Sequence, residues 1–191
     1  MENLKKKLLA LKEDEFKPET ILKFLQDANI TKDSVKKYVH FEKATYTRNL
    51  VCKNAFFEMI ILCWEAGHST MIHDHAAQGC WMTMIDGLIM SDDFKYIAPA
   101  SFTGSLEKIS CASFKKGQSY YIDDTVALHS LRNPVKTHQR AMTLHVYSKP
   151  FSSCMAYDLQ NKSVNELNLV YHSLQGKRGG PWPAKEINQA L

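Results

Sequence analysis

The sequence predicts a mainly β protein, a small closed barrel or two-sheet sandwich preceded by α-helices. Helical spacing of apolar residues is confined to the first forty positions. After Phe41 the texture changes to short runs rich in β-branched, aromatic and alternating residues. Turn signals separate those runs at the spacing expected of a barrel or sandwich.

Leu4, Leu8, Leu9 and Leu11 lie in one charged segment, and Ile21, Leu22, Phe24 and Leu25 recur at helical intervals after Pro18. Thr31 suits the N-cap of a short third helix through Lys37. The expected strands are ATYTRNLVC, FFEMIILCW, CWMTMID, LIMSDDF, QSYYID, VALHSLR, RAMTLHVYS and CMAYD. Between them fall Glu65-Ala66-Gly67, Asp86-Gly87, Lys116-Gly117 and Asn133-Pro134, which are turn dipeptides and tripeptides. The segment QGKRGGPWPAKE reads as a surface tail. The chain is thus expected to form one unit: a helical segment over 1–40, a barrel over 41–173 and a tail over 174–191.

Composition excludes several classes. At 191 residues, 45% apolar and 23% charged, the chain is ordinary for a soluble globular protein. The run AFFEMIILCW is broken by Glu58 and too short to span a bilayer. MENLKKKLLALKEDE lacks the uninterrupted apolar core of a signal peptide. Five cysteines, an odd number without a CxxC pair, argue for a reducing compartment, so a cytoplasmic location is expected. A net charge of +4 rests on scattered lysines with no aromatic interleaving, so neither nucleic acid nor membrane is expected as a partner, and a monomer is.

Residues 68–81, HSTMIHDHAAQGCW, concentrate the chemistry. On a strand, His73 and His75 would project together while Asp74 points the other way. Such a pair is either a metal-ligand arrangement or two histidines sharing a face. In RAMTLHVYS, Thr143, His145 and Tyr147 alternate with apolar residues, and in ATYTRNL so do Tyr46 and Arg48 with Thr47 and Asn49. His129 sits within TVALHSLRN. A barrel interior lined by these groups is costly unless they are satisfied or bound to something. His40, His68, His138 and His172 are expected to be hydrogen-bonded fillers. Taken singly, Tyr147 could be packing and Arg48 a surface charge.

The strand region nevertheless resembles a known family. Gly67, His73, His75, Cys80 and Gly87 follow the first cupin motif, with Cys80 in place of its usual Glu, and Gly117 with His129 and Asn133 partly keep the second. With YTRN at 46–49, ILCW at 61–64, IHDH at 72–75, LHVYS at 144–148 and PFSSCMAYD at 150–158, the chain resembles the cysteine dioxygenases. The resemblance implies a small cupin (jelly-roll) β-barrel and an Fe(II) held by His73, His75 and His129. It also implies oxidation of L-cysteine by O2 to cysteine sulfinic acid. Arg48, with Tyr46, would bind the substrate carboxylate. Tyr147 would lie beside the iron near substrate and oxygen, joined to Cys80 by a thioether bond. His145 would steady Tyr147, with Thr143 placed to hydrogen-bond His145.

The chemistry suits these types. Three neutral imidazoles leave a metal its full charge, which a substrate thiolate can offset. A planar guanidinium offers a carboxylate two parallel hydrogen bonds. Arg48 and Cys80 favour cysteine over 3-mercaptopropionate, because dioxygenases for the latter have glutamine at the arginine position and lack the cysteine. The sequence departs from the family at Thr143, usually serine, and at Ser148-Lys149-Pro150, usually Ser-Pro-Pro with a cis bond. A cis bond before a residue other than proline costs about 2.5–4 kcal/mol, so Ser148–Lys149 is expected to be trans, or strained if cis. A three-histidine cupin holding another metal, or a cupin serving as a binding module, would share much of this pattern.

Overall fold

The computed structural model describes residues 1–97 and 106–187. Helices α1 (Glu2–Ala10), α2 (Pro18–Asp27) and α3 (Lys32–Val35) come first. Pro18 opens α2 at a position where its missing N–H costs nothing. Thr31 caps α3 by accepting from the Ser34 N–H at 3.3 Å. The helix ends at Val35, and a 3-10 turn, Lys36–Tyr38, continues it.

Thirteen strands follow: β1 (Thr47–Lys53), β2 (Glu58–Trp64), β3 (Ile72–His73), β4 (Cys80–Asp86), β5 (Leu88–Tyr96), β6 (Leu106–Lys115) and β7 (Ser119–Ile122). The rest are β8 (Leu128–Arg132), β9 (Ala141–Tyr147), β10 (Ser153–Asp158), β11 (Ser163–Asn168), β12 (Val170–Leu174) and β13 (Lys177–Pro183). They form a seven-stranded sheet in the order β13-β12-β1-β2-β9-β4-β7 and a six-stranded sheet in the order β11-β10-β3-β8-β5-β6. Pairing is antiparallel except between β1 and β12. Within the segment expected as a surface tail, Lys177–Pro183 form strand β13 on the edge of the first sheet. Pro181 and Pro183 are tolerated there because an edge strand can spare an N–H. Gly87 closes the turn from β4 to β5 with φ of 77°, and a Cβ there would lie 2.5 Å from the Arg140 carbonyl oxygen.

The central strands β1, β2 and β9 are buried at all seven positions because each face of their sheet is covered. Met59, Ile61 and Cys63 of β2, with Leu144 and Val146 of β9, face the helices and pack with Leu4, Leu8, Ile21 and Leu25. Ile60, Leu62 and Trp64, with Tyr147, face the opposite way, into the space between the sheets. Each such apolar side chain contributes about 1.5–3 kcal/mol on full burial. The alternation that looked like one apolar and one polar face is therefore real. Helices cover the apolar face, and the polar one lines the interior.

Candidate metal centre

The three histidines converge from one sheet and the loop that leaves its strand β3. His73 closes β3 and pairs in register with His129 of β8, so the two rings lie 4.8 Å apart. His75 is not on the strand as expected, since β3 ends at His73. It belongs to the loop that follows, and its ring still comes within 5.3 Å of His73 and 4.8 Å of His129. Ala76 and Ala77 both take positive φ (50° and 61°), a conformation that turns the chain sharply after His75. The Asp124 carboxylate holds this turn, accepting from the His75 and Ala77 N–H groups at 2.7 Å each. Gly79 and Ser148 close the loop on its far side through a pair of 2.9 Å bonds. Ser148–Lys149 is trans, the single cis peptide among the described residues being Gly180–Pro181.

One ligand atom from each histidine lies within 4.8 Å of the others. His73 Nδ1 sits 2.9 Å from the Met71 carbonyl oxygen, an acceptor, so Nδ1 carries the proton and Nε2 keeps its lone pair. Both ring nitrogens of His75 and Nδ1 of His129 are buried without a hydrogen-bond partner. Asp124 Oδ1 stands 3.4 Å from His75 Nδ1, in place to orient that ring. Burial pushes His73 down to about 3, with the neighbouring His75 adding to the effect, and burial likewise holds His129 well below the usual range. Ring nitrogens left without partners in a largely buried cluster fit a metal cation, and they are costly without one.

The other sheet supplies the rest. Arg48, Tyr46, His73 and Tyr147 line one small cavity of about 30 Å³ with Phe151 and Cys154. Tyr46 precedes β1 and stacks on Trp64 at 4.7 Å. The Arg48 guanidinium carbon lies 5.8 Å from the Tyr147 ring centre, and the residue is only 6% exposed. Cys80 and Tyr147 are direct cross-strand partners of β4 and β9. Both approach His145 Nδ1, the thiol sulfur at 3.7 Å and the phenol oxygen at 3.5 Å. Burial raises Cys80 to about 12 and Tyr147 well above the usual phenol range, so both carry their protons.

Thr143 fixes the His145 ring. Trp64 Nε1–H donates to Thr143 Oγ1 at 3.0 Å, and Oγ1 lies 2.9 Å from His145 Nε2. Indole can only donate. The hydroxyl keeps a second lone pair and its proton, so it pairs with His145 Nε2 in either tautomer. His145 is held neutral by burial, and its Nδ1 faces Tyr147 and Cys80.

All nine residues singled out in the sequence therefore reach one region. His40, His68 and His172 are bonded elsewhere: His40 Nε2 to the Gly176 carbonyl, His68 Nδ1 to the Glu65 N–H and His172 Nδ1 to the Arg48 N–H. His138 sits in an exposed turn at φ of 48°. Sequence reasoning missed Asp124, Glu58, Tyr171 and Trp64. Two of them carried a signal: Glu58 as the one charge in an apolar strand, and Trp64 as the last residue of the ILCW motif.

The two rolled sheets and the inward histidines define a cupin with a three-histidine centre. The chain belongs to the cysteine dioxygenase type I family, whose sequence profile matches residues 3–160. It is 34% identical over 142 residues to cysteine dioxygenase type 1 of Rattus norvegicus, covering 74% of this chain and 70% of that protein. The human protein of the same name is 35% identical with the same coverage. Among solved structures, a Cupin 2 conserved barrel domain protein from Leptotrichia buccalis superposes with a TM-score of 0.46 at 16% identity, covering 61% of this chain and 47% of that one. A double-stranded beta-helix protein from Klebsiella pneumoniae gives 0.49 at 15% identity, covering 61% and 82%. No helix among the described residues is long and apolar enough to cross a membrane.

Proposed function

We propose that this protein oxidises L-cysteine with O2 to cysteine sulfinic acid, as a monomer in the cytoplasm, with the whole chain acting as one unit. The observation that carries the reading is the placement of Arg48 in the same cavity as His73 and Tyr147. A small acid bearing a thiol would then reach both the guanidinium and the three-histidine cluster. The small cavity favours a ligand of few atoms.

His73, His75 and His129 would hold Fe(II), which when bound would bring thiol and O2 together, the thiol sulfur giving up the four electrons that O2 takes up. Arg48 binds the substrate carboxylate, and an Nε–H left without a partner in the protein is one donor for it. Tyr46, packed flat on Trp64, bounds the carboxylate end. Tyr147 keeps its proton at working pH and offers its hydroxyl to the reacting end of the substrate. His145 holds that hydroxyl from Nδ1, and Thr143 holds His145. Phe151, edge-on to Tyr147 at 4.9 Å, keeps water from the ring. A thioether between Cys80 and Tyr147 would replace one S–H and one ring C–H, with two electrons and two protons passing to O2. It would lock the phenol that hydrogen bonds alone hold more loosely. Cys80 accordingly tunes the site and is neither ligand nor nucleophile.

The test is oxygen uptake by protein loaded anaerobically with Fe(II), given L-cysteine and separately 3-mercaptopropionate, with the product weighed by mass spectrometry. Faster uptake with cysteine, yielding a product heavier by two oxygen atoms, is expected. A preference for 3-mercaptopropionate would overturn the substrate assignment, and no uptake by iron-replete protein would overturn the activity.

A further inference from the structure

Glu58 is fully buried in the middle of the first sheet, where an isolated carboxylate costs several kcal/mol. Its two oxygens are both spoken for. Arg48 Nη2 donates to Oε1 at 3.3 Å, and the Tyr171 hydroxyl donates to Oε2. Register explains the meeting. Glu58 pairs with Tyr147 on one side and with Lys53 on the other, and Tyr147 pairs with Cys80. Lys53, Glu58, Tyr147 and Cys80 thus form one row across four strands. Lys53 joins that row only because of a bulge. The β1–β2 register shifts between Leu50 and Cys52, so Val51 and Cys52 both pack among the helix-side residues and Lys53 returns to the interior parity. Its ammonium lies 5.7 Å from the Tyr171 ring centre and makes no ion pair within 4 Å among the described residues.

Glu58 thus stands between Lys53, its cross-strand partner, and Arg48, which donates to it. The guanidinium is also anchored at one end only, since Glu58 takes Nη2 while Nε stays buried and unpaired.

We propose that Glu58, held by Tyr171, is a positioning residue that fixes Arg48 for the substrate carboxylate. This rests on the reading of Arg48 as the carboxylate site. Glu58 touches no substrate; it acts through the guanidinium.

The test compares E58A, E58Q and Y171F in the iron-loaded protein. E58A frees Arg48 and raises KM for L-cysteine about tenfold or more while kcat falls far less, the signature of lost binding rather than lost chemistry. In E58Q the amide oxygen still accepts from Arg48, and KM returns to within about threefold of wild type. Y171F gives a smaller rise in the same direction. An independent readout is the 15N-resolved Nε–H signal of Arg48 in metal-free protein, protected from exchange in wild type and E58Q and lost in E58A. Wild-type KM in E58A overturns the proposal. So does an equal loss of kcat and kcat/KM in E58A that E58Q does not rescue, which marks a merely structural role. Should E58A fail to fold, an unchanged KM and Arg48 signal in Y171F together with a KM in E58Q above tenfold overturns it instead. If wild type oxidises no cysteine, the functional reading fails, and the Arg48 signal still decides whether Glu58 holds the guanidinium.

Discussion

Replacing Thr143 by valine keeps the shape of the side chain and removes its hydroxyl. Thr143, Trp64 and His145 are 0%, 0% and 1% exposed, so water cannot take over the lost bonds. The Trp64 N–H loses its acceptor and His145 Nε2 its partner, each at about 1–3 kcal/mol for a buried group left unsatisfied. A loss of roughly 3 kcal/mol follows, and at about 2–4 °C per kcal/mol for a chain of this size the Tm falls by about 6–12 °C. Thr143→Ser loses only a methyl group, about 1 kcal/mol. The same pair separates stability from chemistry. Valine frees the His145 ring and lowers kcat for cysteine, and serine preserves it. Urea unfolding of both variants, with kcat measured beside it, is the assay. A valine variant no less stable than the serine one would refute the hydrogen-bonded Trp64–Thr143–His145 chain.

His129→Ala should release the metal and abolish turnover together; metal content by elemental analysis checks it, and an iron-replete, active variant contradicts the ligand role. Asp124→Asn keeps one acceptor for the His75 and Ala77 amides, and should weaken metal binding about 10–100-fold in competition with a chelator, as supporting groups around ligands do. Burial raises Asp124 but its bonds from His75 and Ala77 outweigh this, so its carboxylate is held below the usual range. Metal-free protein should lose stability as pH falls. His73, His129 and His145 all have folded pKa values below the unfolded value of about 6.5, so the unfolded state binds more protons below that pH. The stabilisation is complete above about pH 6.5 and declines on acidification, approaching about 4 kcal/mol per pH unit once three protons are involved. A flat profile between pH 7 and 5 would contradict the buried neutral state. Cys80→Ser should slow cysteine turnover without ending it, and an inactive variant that retains iron would show a larger role.

The sequence carried the central strands because their two faces have different customers. Met59 and Ile61 meet helices while Ile60 and Leu62 meet the interior, and period-two burial is visible in residue types. It did not carry β6, β11, β12 or β13. LEKISCASFK and SVNELN are largely exposed, so no apolar face marks them, and the Gly-Gly-Pro of β13 argues against a strand anywhere but an edge. The histidine cluster was legible from HxH spacing, though for a partly wrong reason, since the turn at Ala76 and not strand alternation aims His75. Asp124 lies 49 positions from the amide it holds, and Tyr171 lies 113 from Glu58; no local pattern encodes such meetings.

The histidines belong to one side of the sandwich, β3, β8 and the loop between β3 and β4, while Arg48 and Tyr147 belong to the other. Under the proposed reading, the substrate is a strut between two walls, its thiol on one and its carboxylate on the other. The gap between the sheets then works as a ruler for the number of bonds separating those groups. Widening the pocket by trimming Phe151 or Leu169 would make room without moving either wall. A longer mercapto acid would need the walls themselves displaced, which the helix-backed core behind β1, β2 and β9 resists.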